Sequence, residues 1–458
     1  MEGNMLNAMK YISIVPFSGL FNWDVKIILG DNIITSKKHP MKPFSYFTRP
    51  ANIQKVKIED EQEYKILGVR SYGLGAYRNR ITKGKYLKMK VYQQAKLNHL
   101  FWCKVDTKNG AFGIITQELS DGIASSNMTF AELDISRINP DYLQLLFRCP
   151  KINTYMDSMV TGTTNRKYIR FSDLLNNVMV PVPSLEEQNE LVKAYNDIMV
   201  FIKMEEMKAI DIDLKATVNV RNALGVAPYP GHIEKKLVHY IDYCAIDSWS
   251  VPQILHAENS PFGKSKFACR KLSDLAFINP KTDLSMLSYA DNMSFIPMED
   301  ISDDYGEWIG KRVGSKSNIK GYTKFQDGDI IWAKITPCMQ NGKSTILTNL
   351  VNGKGYGSTE FHVIRIKSND VLPQYIHTLL RHFDVLSDAK KYFTGSAGQQ
   401  RVPTSYLENL LIPVPPLEVQ KQIADEYANG IEQAKQGYNK IASYKQDLKK
   451  NFETQIFE

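Results

Sequence analysis

A chain of 458 residues with 43% hydrophobic residues has room for two or three domains with real cores. Its net charge of +8 is modest, and no run approaches the ~20 apolar residues of a membrane-spanning helix. Five scattered cysteines (Cys103, Cys149, Cys244, Cys269, Cys338) form no C-x-x-C pair, which argues against a disulfide framework or a zinc site and for buried free thiols. Met1 to Lys10 lacks the charged-then-apolar pattern of a signal peptide, so the cytoplasm is the expected location.

In chain order, the first globule is expected to be mixed α/β. The runs "KILGV", "HLFWCKV" and "FGIIT" are short, β-rich and broken by turn residues, and Asn109-Gly110 reads as a hairpin turn. Between Arg70 and Lys104 stand nine Lys or Arg residues and no Asp or Glu: Arg70, Arg78, Arg80, Lys83, Lys85, Lys88, Lys90, Lys96 and Lys104. Tyr72, Tyr77, Tyr86, Tyr92 and Trp102 are interleaved with them. A polyanion is the natural partner of such a stretch, and a merely solvated basic face is the competing reading. A helix-like segment follows around Tyr142 to Phe147, and then a polar loop, Thr163 to Lys167, that contains Arg166.

Pro181-Val182-Pro183 ends a strand, because proline opposes ladder pairing and disfavours helix just before it. Ser184 lies three residues before Glu187, the spacing of a capping box. An apolar heptad follows on Leu185, Val192, Tyr195, Met199, Ile202, Ala209, Ala216 and Val220, and Gly225 with Pro228 closes the helix.

The same landmarks then return in the same order. "LLNNVMVPVPSLEEQNELVKAY" (Leu174 to Tyr195) reappears as "YLENLLIPVPPLEVQKQIADEY" (Tyr406 to Tyr427). "LFWCKV" parallels "IIWAKI", "NPDYLQLLFR" parallels "LPQYIHTLLR", "TGTTNRKYI" parallels "TGSAGQQRV", and "WDVKIIL" after Trp23 has an echo in "WSVPQIL" after Trp249. Pro181 and Pro413 stand 232 residues apart, so the period is that of a duplicated domain rather than a short solenoid repeat. The second heptad reads Leu417, Ala424, Tyr427, Ile431, Ala434, Tyr438, Ile441, Leu448 and Phe452, with Gln188 and Gln420 as the same polar interruption. Two in-phase stripes on helices of about 40 residues, each roughly 60 Å long, predict an antiparallel intramolecular coiled coil between the globules. Two separate helices, each covering its own domain, are the alternative. The expected division is 1–180 for the first globule, 181–226 for its helix, 227–412 for the second globule and 413–458 for the second helix.

A "TG[ST]" loop, a "P[VL]P[SP]LEEQ"-like box and a long helix, occurring twice around two dissimilar globules, resemble the specificity subunit of type I restriction–modification enzymes. The resemblance implies two target-recognition domains, each reading half of a split site on double-stranded DNA. It implies paired helices that measure the unread gap and dock two methyltransferase subunits, with restriction and motor subunits joining that core. S-adenosylmethionine, ATP and Mg would belong to those partners, leaving no cofactor, metal or membrane for this chain.

On that reading the DNA-binding candidates in the first half are Arg70, Tyr72, Arg78, Arg80, Lys83, Lys85, Lys88, Lys104, Arg166 and Lys167. Their counterparts in the second are Lys311, Arg312, Lys316, Lys320, Lys334, Lys343, Gln399, Gln400 and Arg401. For the loops at Thr163 to Lys167 and Ser396 to Arg401, an ordinary turn is the plainer reading. Helix pairing or partner docking falls to Leu185, Val192, Tyr195, Met199, Ile202, Leu417, Ala424, Tyr427, Ile431, Ile441 and Leu448.

Catalytic motifs fail on inspection. Asn139-Pro140-Asp141-Tyr142 has Asp where an adenine methyltransferase loop has its second Pro, and its repeat counterpart Leu372-Pro373-Gln374-Tyr375 points to a helix start. The same counterpart, with Gln374, weakens a nuclease reading of Pro140-Asp141. Gly342-Lys343-Ser344 ends like a P-loop but has Pro337 where the first glycine belongs. Three functions stand: a non-catalytic DNA-recognition subunit, a solitary DNA-binding module of the same fold, and an unrecognised nuclease.

Overall fold

The computed structural model describes residues 34–104, 110–158, 171–226, 260–396 and 398–458. In chain order the first eleven strands are β1 (Met41–Pro43), β2 (Thr48–Pro50), β3 (Lys55–Lys57), β4 (Glu63–Arg70), β5 (Gly75–Lys83), β6 (Val91–Gln94), β7 (His99–Cys103), β8 (Phe112–Ile114), β9 (Ile123–Ala124), β10 (Met128–Leu133) and β11 (Met179–Pro181). Helices α1 (Pro140–Leu146), α2 (Pro150–Ser158), α3 (Phe171–Asn177) and the 40-residue α4 (Leu185–Leu224) complete the first repeat. The second repeat supplies β12 (Cys269–Lys271), α5 (Leu272–Leu275), β13 (Ala276–Ile278), β14 (Asn292–Ile296), β15 (Val313–Ser315), β16 (Thr323–Gln326), β17 (Ile330–Ala333), β18 (Ser344–Ile346), β19 (Lys354–Gly357) and β20 (Phe361–Ile366). It ends with α6 (Pro373–Arg381), α7 (Phe383–Ala389), α8 (Thr404–Asn409), β21 (Leu411–Pro413) and α9 (Leu417–Phe457).

The mixed α/β expectation holds in both repeats. Their frames have the same strand order: β2-β10-β7-β8 in the first, β13-β20-β17-β18 in the second, each with a two-stranded ribbon, β1-β11 or β12-β21. The matched tryptophans Trp102 and Trp332 lie buried on β7 and β17, which pair antiparallel with β8 and β18; Asn109 of the first expected turn lies outside the described residues. Tyr142 and Tyr375 make the same bond, each hydroxyl donating to the carbonyl of the matching proline, Pro181 or Pro413, at 2.9 Å. Asn139 caps α1 by accepting from the Asp141 and Tyr142 amides, and Pro140 and Pro373 occupy first helical positions, so both "NPDY" and "LPQY" are helix starts. What differs is the second sheet of each repeat: five strands in the order β3-β6-β9-β4-β5 against four in the order β15-β14-β19-β16.

The glutamines read as polar interruptions are clamps. Gln188, fully buried, accepts from the Asn139 amide at 2.7 Å and donates to the Arg137 and Pro183 carbonyls. Gln420, equally buried, accepts from the Leu372 amide and donates to the Asp370 and Pro415 carbonyls. Each ties the first turn of a long helix to its own globule. One half of the capping box is present, Ser184 Oγ accepting from the Glu187 amide at 3.3 Å, while the Glu187 carboxylate pairs with Lys38 at 2.9 Å.

The chain divides into two compact units, Met1–Lys203 with Ala442–Glu458, and Met204–Ile441. The division falls inside both long helices, not at the ends of the globules, because each globule is closed by the tail of the other repeat's helix. In the first unit, Ser36 Oγ donates to the Ile456 carbonyl and the Lys37 amide to Phe457 O. In the second, Ser265 Oγ donates to Leu224 O at 2.7 Å and the Lys266 amide to the same oxygen at 3.0 Å. Gly225, at φ +65°, ends α4 in the left-handed conformation and lets the Val226 amide reach the Arg221 carbonyl.

Within each unit the helices run antiparallel, as the heptads predict. In the first unit Tyr195 meets Phe452 edge-on at 5.9 Å and Phe201 meets Tyr444 at 5.4 Å. In the second, Ala216 packs against Gly430 and Ala209 against Gly437. Val192, Tyr195, Ile202, Ala424, Ile441 and Leu448 are buried, and Met199, Tyr427 and Ile431 half-buried. Leu185 and Leu417 do not join the pairing seam: they are 36% and 44% exposed, and the first turn is held by the glutamine clamp. The paired "WDVKIIL" and "WSVPQIL" segments and Pro228 lie outside the described residues.

Candidate nucleic-acid interface

The basic run of the first unit folds mainly into β4 and β5. β5 is an edge strand of the five-stranded sheet, a position where charge also discourages pairing with other chains. The register slips between Ile66 and Leu67, which face Arg80 and Arg78 and leave Asn79 unpaired in a bulge. Arg78 and Arg80 are both exposed there, and neither has an ion-pair partner among the described residues. At the other end of the hairpin, Arg70 lies 4.7 Å over the Tyr77 ring, and the turn Ser71–Leu74 exposes Tyr72 (64%) and Leu74 (57%).

Distance along the chain misleads about the remaining cations. An acidic turn just upstream of the run folds back on it: Glu61 pairs with Lys83 and with Lys85, each at 3.2 Å, and Asp60 with Lys90 at 3.1 Å. Lys104 donates to the Ser126 carbonyl at 3.0 Å. Lys88 is exposed, with no ion-pair partner among the described residues. Within the β4–β5 hairpin, the cations without an ion-pair partner among the described residues are Arg70, Arg78 and Arg80; Lys88 and Lys96 are further ones beyond it. Arg166 and Lys167 lie outside the described residues.

In the second unit most of the candidate cations are engaged within the fold. Arg312 pairs with Glu299 (2.6 Å) and Asp300 (3.2 Å), Lys316 Nζ donates to the Leu284 and Leu287 carbonyls, and Lys343 Nζ to Met298 O. Lys343 thus ties the start of β18 to the turn after β14. Arg401 grips Glu360 through two bonds of 2.9 and 2.8 Å and donates to Gln399 O, and the pair holds the Glu360 carboxyl below its usual range. Gln400 lends its carbonyl to the Thr336 amide, while Gln399 is exposed. The loop containing these residues is therefore held to the β17 end by Arg401. Lys311 and Lys320 are exposed and Lys334 half-buried beside Glu360.

The sequence reading missed a cleft of about 380 Å³ lined by Asn279, Lys281, Thr282, Tyr322 and Lys324. Its signal was faint: one asparagine, at φ +52°, ending β13 before a Pro-Lys-Thr turn. Among the described residues no group of three or more His, Cys, Asp or Glu is placed to hold a metal, and no helix is long and apolar enough to cross a membrane. What the arrangement offers is cationic and aromatic: exposed guanidinium groups beside exposed rings on one sheet edge, the chemistry that meets phosphates and base faces.

Residues 264–433 match the family model described as the type I restriction modification DNA specificity domain. The chain is 40% identical over 158 residues to the specificity subunit of the type I restriction enzyme EcoEI of Escherichia coli, a match covering 34% of this chain and 26% of that one. It is 41% identical over 153 residues to the EcoAI specificity subunit of the same organism, covering 33% and 26%. The match thus spans about a quarter of each relative's length. A chain from a solved type I restriction–modification system shares the fold at a TM-score of 0.52, with 13% identity over 92% of this chain and 98% of that one. The resemblance drawn from the duplicated boxes is borne out.

Proposed function

We propose that this chain, whose second repeat carries a type I restriction modification DNA specificity domain, is the DNA-specificity subunit of a type I restriction–modification complex. Its two units read the two halves of a split, asymmetric site on double-stranded DNA. The duplicated frame carrying two dissimilar sheets supports this reading above all, since a shared scaffold with unlike reading surfaces suits one protein that reads two unlike sequences. The long helices set the spacing of the half-sites and dock two methyltransferase subunits, and restriction and motor subunits join that core in the cytoplasm. An exposed apolar stripe on α4 (Met204, Met207, Ile210, Leu214 and Val218) supports a docked partner, because single soluble chains seldom leave such a row open to water. The chain itself is non-catalytic. S-adenosylmethionine, ATP and Mg act in the partners.

Methylome sequencing of cells carrying the chain and its partner subunits tests this, and two short motifs separated by a fixed gap are expected. Inserting four residues near Ala209 adds about 6 Å of helix and about 40° of rotation. The gap should then lengthen by one or two base pairs while both half-motifs stay the same. One continuous motif, or half-motifs that change while the gap does not, overturns the reading.

A further inference from the structure

The turn Ser71–Leu74 is built to hold two apolar side chains in water, which a surface does at a cost unless they are used. Tyr72 and Leu74, 64% and 57% exposed, flank Gly73, which is buried. Gly73 is fixed from two sides. Its amide donates to Gly110 O at 2.8 Å, and its carbonyl accepts from Gln144 Nε2 at 2.7 Å and Arg148 Nε at 3.3 Å. The approach is so close that a Cβ at Gly73 would lie 2.2 Å from the Phe147 carbonyl oxygen. Tyr72 itself sits at φ +58°, a left-handed backbone that a tyrosine adopts rarely and that persists only where its surroundings impose it. The anchoring comes from α1, from the residues that follow it and from the β7–β8 turn, so the tip cannot swing its apolar pair inward.

The charges beside it narrow the partner. Arg70, Arg78 and Arg80 carry no ion-pair partner among the described residues, whereas Lys83 and Lys85 share Glu61 and Lys90 pairs with Asp60 at and beyond the far end of the hairpin. A rigid ring and a branched alkyl group beside unneutralised guanidinium groups suit a polyanion whose interior is flat and apolar, which is stacked nucleic acid.

We propose that Tyr72 and Leu74 form a wedge that enters the base stack of the duplex at the first half-site, while Arg70, Arg78 and Arg80 hold the neighbouring phosphates. The wedge opens a base step, and part of the specificity of this unit comes from the ease with which a sequence opens. This rests on the DNA-reading function proposed above.

The test uses the full chain with its methyltransferase partners and duplexes that this wild-type complex enriches from a randomised pool. Tyr72→Ala with Leu74→Ala should lower affinity for the enriched duplex by roughly 5- to 150-fold and leave the salt slope unchanged. Arg78→Ala with Arg80→Ala should instead weaken binding to all duplexes and reduce the salt slope by about 2. A 2-aminopurine placed through the enriched site should brighten at one step with the wild type and with Tyr72→Phe, and stay dark with the double alanine variant. Tyr72→Asn, a residue suited to the left-handed backbone, should lose the brightening with no change in melting temperature. An enriched duplex that both proteins bind equally, with no brightening, overturns the wedge alone. A wild-type complex that enriches no duplex overturns the DNA-reading function, and the wedge with it.

Discussion

The two repeats keep one frame and close it by different means. Both tie the helix start with a buried glutamine, both set a tyrosine hydroxyl on a proline carbonyl, and both place a tryptophan on a central strand. Where the helix tails close each unit, the chemistry diverges. The first unit packs its helices through Tyr195, Phe201, Tyr444 and Phe452, the second through Ala209, Ala216, Gly430 and Gly437. Arg221 and Glu453 occupy the same repeat position, 232 residues apart, with opposite charge. Arg221 grips Asp384 near the start of α7, while Glu453 accepts from the Lys151 amide at the start of α2. A duplication thus retained what folds each half and altered what each half meets.

The largest expected effect probes what is shared. Gln188→Leu leaves one amide and two carbonyls buried without partners and should cost about 3–5 kcal/mol, and Gln420→Leu should cost the same. Denaturant unfolding that shows one glutamine to be dispensable breaks the equivalence of the two frames.

The helix tails should respond unequally. Asp384 is almost fully buried, so Arg221→Glu strands a carboxylate beside it and should cost about 3–5 kcal/mol. Glu453→Arg breaks an exposed bond and should barely move the melting temperature. Equal effects from the two would show that the reversal of charge carries no difference in packing.

Acid should separate the units next. Burial pushes His377 down to about 3 and His362 down to about 4, and it lowers His382 despite the neighbouring Asp384. All three belong to the second unit, whereas the first has His99, buried and also lowered by burial. A histidine depressed in the folded state favours unfolding once protonated. Its contribution is therefore complete above the unfolded value of about 6.5 and is lost as pH falls toward 4 and below. Hydrogen exchange at pH 5 against pH 7.5 should show the second unit losing protection first. Equal loss in both removes the distinction.

The smallest test sharpens the seam. A Cβ at Gly430 would lie 2.6 Å from Ala216 Cβ, while one at Gly437 would lie 3.2 Å from Ala209 Cβ. Gly430→Ala should therefore be destabilising although alanine favours helix by about 1 kcal/mol, and Gly437→Ala should be neutral or slightly stabilising. Thermal melts that rank them the other way would mean that the helices lie further apart at Gly430.

Much of this was written in one dimension. The repeat, the two helices with their heptads, the proline-ended strands, the helix starts at Asn139 and Leu372 and the hairpins after the tryptophans follow from local pattern, because period, turn chemistry and capping act over a few residues. The candidate interface was only half legible. A run without acids from Arg70 to Lys104 marked the region, but only folding brought Asp60 and Glu61 onto Lys83, Lys85 and Lys90 and left Arg70, Arg78 and Arg80 unneutralised. Likewise, Arg401 was legible as a charge, but not as the clamp on Glu360. The matching of Ser36 with Ser265, each seated on the tail of the other repeat's helix, is too short to read as a repeat and needs contacts 420 and 41 residues apart. Periodicity and composition record what each residue prefers. Which charges stay free, which helix face is covered and which turn is held rigid depend on the residues that folding brings alongside, and those were decided by tertiary structure alone.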